Sequence, residues 1–473
     1  MLATQFDHAI VIGGSIAGLT AARVLSDHFA RVTVIERDRL HGNADFRKGT
    51  PQARHAHVLL LRGLQLLEQM FPGLENDLLA GGAVQINPGQ EQDAMIQGQW
   101  LPQFETDLRP VACSRILLEQ AIYARLADYP AIHIREEWEI SELLTDEGRT
   151  RATGVLCRAK GQSGVVEELM ADLVVDASGR NSDTPKWLTQ LGYTAPKQSV
   201  VNSFPGYATR VYECPDNFAA TWKSLVIFPI APDRKRGGVL LPLEGNRWHV
   251  TLFGMAGDHP PTDEAGYMAF AQSLASPRLY EVLQQARPQS SVAGYRKAEN
   301  RLYHYDQLPR YLERLIVLGD AVYALNPVYG QGMTVAAMGS LKFGEFLQAC
   351  RAKGDLTGLP QKFQKALGQI VMGPWQMATS EDARWPGTEG AQDADFPTRL
   401  VQKYMNQVMV AMGHNPKVTA QFFRVQQMVD EPTTLLRPRM MLEVFKTVRW
   451  VKRAQKAMTM PTSRPQFSPS TGD

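Results

Sequence analysis

The 473-residue sequence has few cysteines, no long apolar run and almost no net charge. Its four cysteines lie far apart and form no C-x-x-C pair, which argues against a disulfide framework and a bound metal. No apolar stretch is long enough to span a bilayer, and glycines interrupt the N-terminal apolar run, unlike in a signal peptide. The net charge of +2 provides no strong field for nucleic acid. We therefore expect a soluble, cytoplasmic globular protein with two or three domains.

The most distinctive stretch is at the N-terminus. An apolar run at 8–12 leads into a glycine turn at 13–18, a helical segment follows, and a second apolar run ends at Glu36. This order is typical of a dinucleotide-binding βαβ unit, in which the turn approaches a pyrophosphate and the acid accepts ribose hydroxyls. Ser15 stands where the usual G-x-G-x-x-G has its second glycine. The predicted dinucleotide contacts in this unit are Gly13, Gly14, Ser15, Ala17, Gly18, Glu36 and Arg37.

Two later strands also end at glycine turns. The apolar run before Asp176 leads to Ser178-Gly179-Arg180, and the run 315–318 leads to Gly319-Asp320. Six residues after that Gly-Asp pair comes Pro327. In this order the three turns resemble those of the flavoprotein monooxygenases of the aromatic-hydroxylase and epoxidase type. In that family the three motifs converge on one FAD, and the resemblance covers roughly residues 5 to 350.

The resemblance implies FAD as the cofactor and adds residues to the predicted site. Asp320 is expected to accept a ribityl hydroxyl, and the helix near Met333 is expected to direct its N-terminus at the flavin pyrimidine. Arg115 matches an arginine near the pyrophosphate or ribityl chain. Among the cations Arg47, Lys48 and Arg54, we favour Arg54 beside the flavin. The further cofactor contacts are Arg54, Arg115, Gly179, Gly319, Asp320, Pro327, Gly330, Gly332 and Met333.

No catalytic side chain is assigned, and the candidates at the flavin edge are Pro327, Gly330, Gly332, Arg54 and His55. His55 and His57 could bind metal or relay protons, but we favour polar groups that line a pocket wall. The stretch 47–57 is also similar to the flavin-dependent epoxidases of polyether antibiotic biosynthesis, such as those for lasalocid and monensin.

The family resemblance implies that dioxygen forms a hydroperoxide on the reduced flavin and oxygenates an apolar, secondary-metabolite-like substrate. Either epoxidation or hydroxylation is expected, with NADPH or NADH as electron donor. The donor acts directly or through a separate flavin reductase, because Ser178 replaces the aspartate of the middle motif. Two alternatives stay open: a flavin-dependent prenyl or alkene reductase of the geranylgeranyl-reductase type, and a non-catalytic flavoprotein-fold binding protein. Halogenation is disfavoured because the residues around Trp222 and Trp248 lack the W-x-W-x-I-P pattern.

The predicted fold class is α/β, with a Rossmann-type FAD-binding domain like that of glutathione reductase. That domain is expected to be discontinuous, over residues 1–82, 102–185 and 308–355. An antiparallel-sheet substrate domain is expected over 83–101 and 186–307, and a helical region over 356–460. The tail 461–473 is Ser/Pro-rich and predicted to be disordered.

The last helical segment has an apolar stripe through Met441, Val444, Phe445, Val448 and Val451 beside a basic stripe. Such a helix can lie on a membrane surface or receive a carrier-bound substrate, but we favour packing on its own domain.

Overall fold

A computed structural model of the chain describes residues 6–40, 46–161, 166–392 and 395–459, without the side chains of 455–459. The predicted tail at 461–473 lies outside the described residues. The strands are β1 Phe6–Ile12, β2 Phe29–Glu36, β3 Val84–Gln85, β4 Gln92–Ile96, β5 Gln99–Trp100, β6 Val111–Ala112, β7 Ile132–Glu136, β8 Trp138–Thr145, β9 Ala152–Ala159, β10 Val166–Met170, β11 Leu173–Asp176, β12 Gln198–Val201, β13 Gly206–Glu213, β14 Ser224–Ile227, β15 Arg236–Leu243, β16 Arg247–Gly254, β17 Arg287–Pro288, β18 Ala293–Tyr295, β19 Asn300–Tyr303, β20 Leu315–Val317 and β21 Tyr323–Ala324. The helices are α1 Ile16–Leu25, α2 Leu61–Met70, α3 Leu74–Ala80, α4 Arg115–Leu126, α5 Thr184–Gln190, α6 Glu264–Gln272, α7 Arg278–Leu283, α8 Gly332–Lys353, α9 Leu359–Asp382, α10 Phe396–Met412, α11 Pro416–Gln426 and α12 Pro438–Thr459.

A five-stranded parallel sheet brings the three glycine turns together. Its order is β20-β11-β1-β2-β7, and its central strands are almost wholly apolar and buried, as expected for a sheet covered on both faces. Ile12 at the end of β1 pairs with Asp176 of β11, which pairs with Val317 of β20. The carboxyl ends of the three strands therefore lie side by side, and each continues into one of the predicted turns.

Helices α1 and α8 pack together beside this sheet. Thr20 of α1 and Ser340 of α8 are fully buried, and their hydroxyl oxygens are 2.8 Å apart. Both helices begin just after a glycine turn, so both N-termini lie near the same sheet edge. This edge has the positive helix ends that an anionic dinucleotide requires.

A second sheet has the order β17-β13-β16-β15-β14-β4-β5, with β18 on β13. All of its pairs are antiparallel except β14 with β4. Alternate residues of β16, such as Val250 and Leu252, pack in one apolar cluster with α6 and α7. The residues between them, His249 and Thr251, contact the loop at 54–56 instead. One face of the sheet thus builds its own core, and the other meets the loop that follows the dinucleotide-binding unit.

The C-terminal segment is helical, as predicted. Helix α9 packs on α8, and helices α10 to α12 form an apolar cluster with Ile96 and Phe228 of the second sheet. Among the described residues, no helix is long and apolar enough to cross a membrane. The α/β class with a parallel sheet, an antiparallel sheet and a helical C-terminal region is confirmed, while the domain boundaries stay a prediction.

Candidate functional site

The first turn is built so that only glycine fits at two positions. Gly13 has φ +100°, and a Cβ on it would lie 2.6 Å from the Ala177 carbonyl oxygen. A Cβ on Gly18 would lie 1.8 Å from the Gly13 carbonyl oxygen. Helix α1 starts here, and its N-cap Ser15 does not bond the helix backbone with its side chain. The first N–H groups of α1 are therefore left for another acceptor, as a pyrophosphate site requires.

Glu36 is buried against the turn. Its carboxylate accepts hydrogen bonds from the Gly14 N–H at 2.6 Å and from the Asp38 N–H at 2.9 Å. The structure therefore places the predicted ribose acid beside the turn, where it also fixes the turn backbone. Arg37, the next residue, is exposed. Contact of either residue with the ribose stays a prediction.

Two arginines meet at the start of α1. Arg115 Nη2 donates to Ser15 Oγ at 2.9 Å, and Arg115 Nε donates to Glu119 Oε1 at 2.8 Å. Arg47 donates to the other oxygen of Glu119. Burial opposes ionisation of Glu119, but the two guanidinium groups hold its pKa below the usual value. A groove with about 450 Å³ of empty space opens beside these groups and Gly14.

The structure also places the other cations of this loop. Arg47 reaches the first turn, and Arg54 is exposed with its guanidinium carbon 5.3 Å from the Phe46 ring centroid. Sequence reasoning also missed Glu119, whose spacing four residues after Arg115 on one helix was a usable signal. Contact of Arg54 with the flavin stays a prediction.

The middle turn is held by Asp176 at the end of β11. Its fully buried carboxylate accepts hydrogen bonds from the Ser178 N–H at 2.9 Å and from the hydroxyls of Ser178, Ser182 and Thr184. Gly179, which follows, has φ +85°, and no atom lies within 4 Å of a Cβ built on it. Ser178 thus replaces the expected aspartate with a hydroxyl that is already bound to Asp176.

The third turn presents a carboxylate without a partner. Gly319 has φ +65°, and a Cβ on it would lie 2.6 Å from the Ala17 Cβ, so the first and third turns are in contact. Asp320 is half-buried and makes no hydrogen bond or ion pair within the described residues. Burial raises its pKa, and the nearby Arg180, Arg115 and Arg301 oppose that rise. A carboxylate of this kind fits a hydroxyl donor such as the ribityl chain of FAD.

The segment at the predicted flavin edge forms a short connection before α8. Pro327–Tyr329 is one 3-10 turn, Gly330 follows with φ +68°, and Gly332 begins α8. A Cβ on Gly332 would meet no atom within 4 Å, so space for a ligand lies against its backbone. The buried Gln331 Oε1 and Thr334 Oγ1 have no hydrogen-bond partner in the described part of the chain. Thr334 Oγ1 lies toward Gly63 of α2, and Gln331 Nε2 lies 3.5 Å from the Met377 sulfur of α9. The open space at Gly332 and the N-terminus of α8 fit an isoalloxazine ring, while contact of the ring with Met333 stays a prediction.

Sequence reasoning missed the residue that holds this segment. Asp382, the last residue of α9, is fully buried and accepts hydrogen bonds from Tyr329 OH at 2.7 Å and Asn300 Nδ2 at 2.7 Å. It also accepts from Asn326 Nδ2 at 3.1 Å, while Tyr207 OH donates to Asn326 Oδ1. Burial raises the pKa of Asp382, and the hydrogen bonds from Tyr329, Asn326 and Asn300 oppose the rise. No local motif marks Asp382, because its partners lie 53 to 82 residues earlier.

His55 contacts the second sheet and not a metal-like cluster. Its Nδ1 is 2.7 Å from Thr209 Oγ1, and Thr209 Oγ1 is 2.7 Å from Thr251 Oγ1. His249 donates from Nε2 to the Arg54 carbonyl at 2.9 Å. Burial lowers the pKa of His55 and of His249 to about 4, so both rings are neutral at pH 7. These contacts fix the loop against the sheet, and a role of His55 in a pocket wall stays a prediction.

A second pocket lies between the sheet, the flavin-edge segment and the end of α9. It has a cavity volume of about 120 Å³, and its lining includes Phe228, Pro229, Met255, Val328, Tyr329 and Trp385. Gln97 and the ion pair of Arg384 and Glu381 also line it, so the wall has both apolar and polar parts. A pocket with these properties suits a small organic ligand.

Comparison with known proteins gives a consistent result. Residues 7–356 match the family described as FAD binding domain. Protein Rv3254 of Mycobacterium tuberculosis is 35% identical over 386 residues, which cover 78% of this chain and 79% of that protein.

Two solved structures show a similar fold. The p-nitrophenol 4-monooxygenase PnpA from Pseudomonas putida aligns with 90% of this chain and 99% of its own, with 17% identity and a TM-score of 0.62. The flavin-dependent brominase Bmp2 aligns with 96% of this chain and 100% of its own, with 14% identity and a TM-score of 0.64. At these identities the structures establish the shared fold alone.

Proposed function

Because the chain belongs to the FAD-binding-domain family, we propose that it is an FAD-dependent monooxygenase acting on an apolar organic substrate. One oxygen atom of dioxygen enters the product, the other leaves as water, and NADPH or NADH supplies two electrons. The reaction is epoxidation of an alkene or hydroxylation of an activated ring, and the likeness of residues 47–57 to polyether epoxidases favours epoxidation.

One observation carries the proposal. Val328 and Tyr329 of the segment Pro327–Tyr329 line the pocket that contains Met255, and the same segment leads into Gly332, whose backbone faces open space. We therefore expect a flavin held by this segment to lie close to the pocket. The non-catalytic alternative does not require such a pocket.

FAD, when bound, supplies the activation of dioxygen. The protein positions the substrate and keeps water away from the flavin. Met255, Phe228 and Trp385 exclude water and hold an apolar substrate by contact. His55 and His249 are neutral at pH 7 and place no charge in the wall between loop and sheet. Epoxidation by this route needs no protein nucleophile, so catalysis rests on alignment of the substrate with the flavin.

The test is aerobic turnover of the purified, FAD-loaded protein with NADPH or NADH and a panel of polyenes and phenols. Wild-type protein is expected to give a product heavier by one oxygen atom. Met255→Trp fills the pocket and should abolish that product while FAD stays bound, and the volume-conserving Met255→Leu should retain it. Reduced alkene in place of oxygenated product would move the protein to the reductase alternative. A brominated product formed only with bromide would move it to the halogenases, and a protein that takes up no FAD would end the proposal.

A further inference from the structure

The outward face of helix α12 differs from an ordinary solvated face. The 22-residue helix contains six cations and one acid, whereas the whole chain has a net charge of only +2. The exposed cations with described side chains are Arg439, Lys446, Arg449, Lys452 and Arg453. Within the described residues none of the five forms an ion pair, so this charge is not neutralised by the protein itself.

Large apolar side chains lie on the same outward surface. Leu442 is 52% exposed, Phe445 is 41% exposed and Trp450 is 60% exposed. At 100° per residue, Leu442, Lys446, Arg449 and Arg453 project within about 60° of one another, with Phe445 and Trp450 on either side. Val444, Val448 and Val451 point the opposite way and are buried, the first two in the cluster with α10. The three valines thus form the buried face of α12. Leu442, Phe445 and Trp450 are apolar residues outside that buried face.

The neighbouring helix α10 packs against α12, with the Tyr404 and Phe445 ring centroids 6.0 Å apart. Leu442, Phe445 and Trp450 nevertheless stay between 41% and 60% exposed on one side of α12. An exposed apolar patch within a basic surface is typical of a contact surface.

We infer that the outward face of α12 binds the surface of an anionic phospholipid membrane. The cations complement lipid phosphates, and Leu442, Phe445 and Trp450 are the residue types that enter the interface between headgroups and acyl chains. A convex, single-helix surface suits a plane of lipid, whereas a nucleic acid would not require the apolar residues. The helix would lie on the membrane and not cross it.

The test is sedimentation of the full-length, FAD-loaded protein with vesicles. Wild-type protein should bind vesicles of phosphatidylcholine with phosphatidylglycerol, bind pure phosphatidylcholine far less, and be released by molar salt. Arg449→Gln with Arg453→Gln should weaken the partition coefficient roughly 30-fold, at about five-fold per cation. Leu442→Ser with Trp450→Ser should weaken it at least about ten-fold. The matched control, Lys362→Gln with Lys365→Gln on the exposed side of α9, should bind as wild type does.

Each of these replacements is at an exposed site, and an unchanged circular dichroism spectrum and FAD content confirm that the variants are folded. Absence of wild-type binding to anionic vesicles would overturn the inference. Loss of binding in the charge variant alone would assign the face to a general polyanion instead. A wild-type dimer that dissociates when Leu442 and Trp450 are replaced would assign the face to a second copy of the chain.

Discussion

Replacement of Asp382 tests how the flavin-edge segment is held. Each carboxylate oxygen accepts two hydrogen bonds, Oδ1 from Tyr329 and Asn326 and Oδ2 from Asn300 and Asn326. In Asp382→Asn one side-chain oxygen still accepts hydrogen bonds, but an NH2 group replaces the other oxygen and faces the same donors. At least one buried donor then has no acceptor, which costs about 2 kcal/mol of stability. Exchange of charged for neutral hydrogen bonds adds about 1 kcal/mol. We therefore expect the free energy of unfolding to fall by about 3 kcal/mol. Part of this loss should appear as a less ordered segment 326–330.

Two measurements separate a positioning role from a purely structural one. Urea unfolding should show the stability loss, and flavin fluorescence should show FAD binding weakened by about ten-fold or more, since each 1.4 kcal/mol is about a factor of ten. The flavin absorbance bands should also shift, because Tyr329 and Asn326 lose their anchor. Glu345→Gln is the matched control, since Glu345 of α8 forms a surface ion pair with Lys342 worth at most about 1 kcal/mol. If Asp382→Asn loses stability but binds FAD with wild-type affinity and spectrum, Asp382 does not position the flavin edge.

Three further changes test other parts of the site. Arg115→Ala should weaken FAD binding by about 2 kcal/mol, roughly 30-fold, in a titration calorimeter. Arg54→Ala tests the predicted contact of Arg54 with the flavin: weakened FAD binding would support the contact, and unchanged binding would contradict it. Asp320→Ala should lower FAD content with the fold retained, and normal FAD content with normal oxygenation would show that the third turn is misplaced. Because the pKa of His249 is about 4 in the folded chain and about 6.5 when unfolded, its contribution to stability should fall as pH drops from about 6.5 to 4, by up to about 3 kcal/mol. In His249→Asn the pH dependence of the urea midpoint should be shallower, and an unchanged slope would contradict the neutral, buried assignment.

The elements with periodic or punctuated sequences were predicted well. The runs ending at Ile12, Asp176 and Leu318 are short, apolar and followed by glycine, and the pattern is local enough to indicate parallel strands and their turns. Ser114 is of a residue type that favours helix N-caps, and it caps α4, since its Oγ accepts from the Leu117 N–H at 3.0 Å.

The hydrogen bonds and ion pairs of the site could not be predicted from local sequence patterns. Asp382 lies in a helix that no motif marks, and its role appears only when α9 folds back onto β19 and the flavin-edge segment. Which of Arg47, Lys48 and Arg54 contacts the cofactor depends on which side chain an irregular loop directs inward. The sequence of such a loop has no periodic pattern from which its conformation could be predicted. Glu119 lies one helical turn after Arg115, but its second partner, Arg47, comes from a distant loop that no local pattern connects to it.

The central claim is that the chain transfers one atom of dioxygen to an organic substrate, and isotopically labelled dioxygen tests it most directly. Mass spectrometry of the product from the FAD-loaded enzyme, NADPH or NADH and a turned-over substrate should show one labelled oxygen atom per product molecule. In a parallel reaction with labelled water and ordinary dioxygen, the product should carry no label. A product without label from dioxygen, or with label from water, would contradict the account.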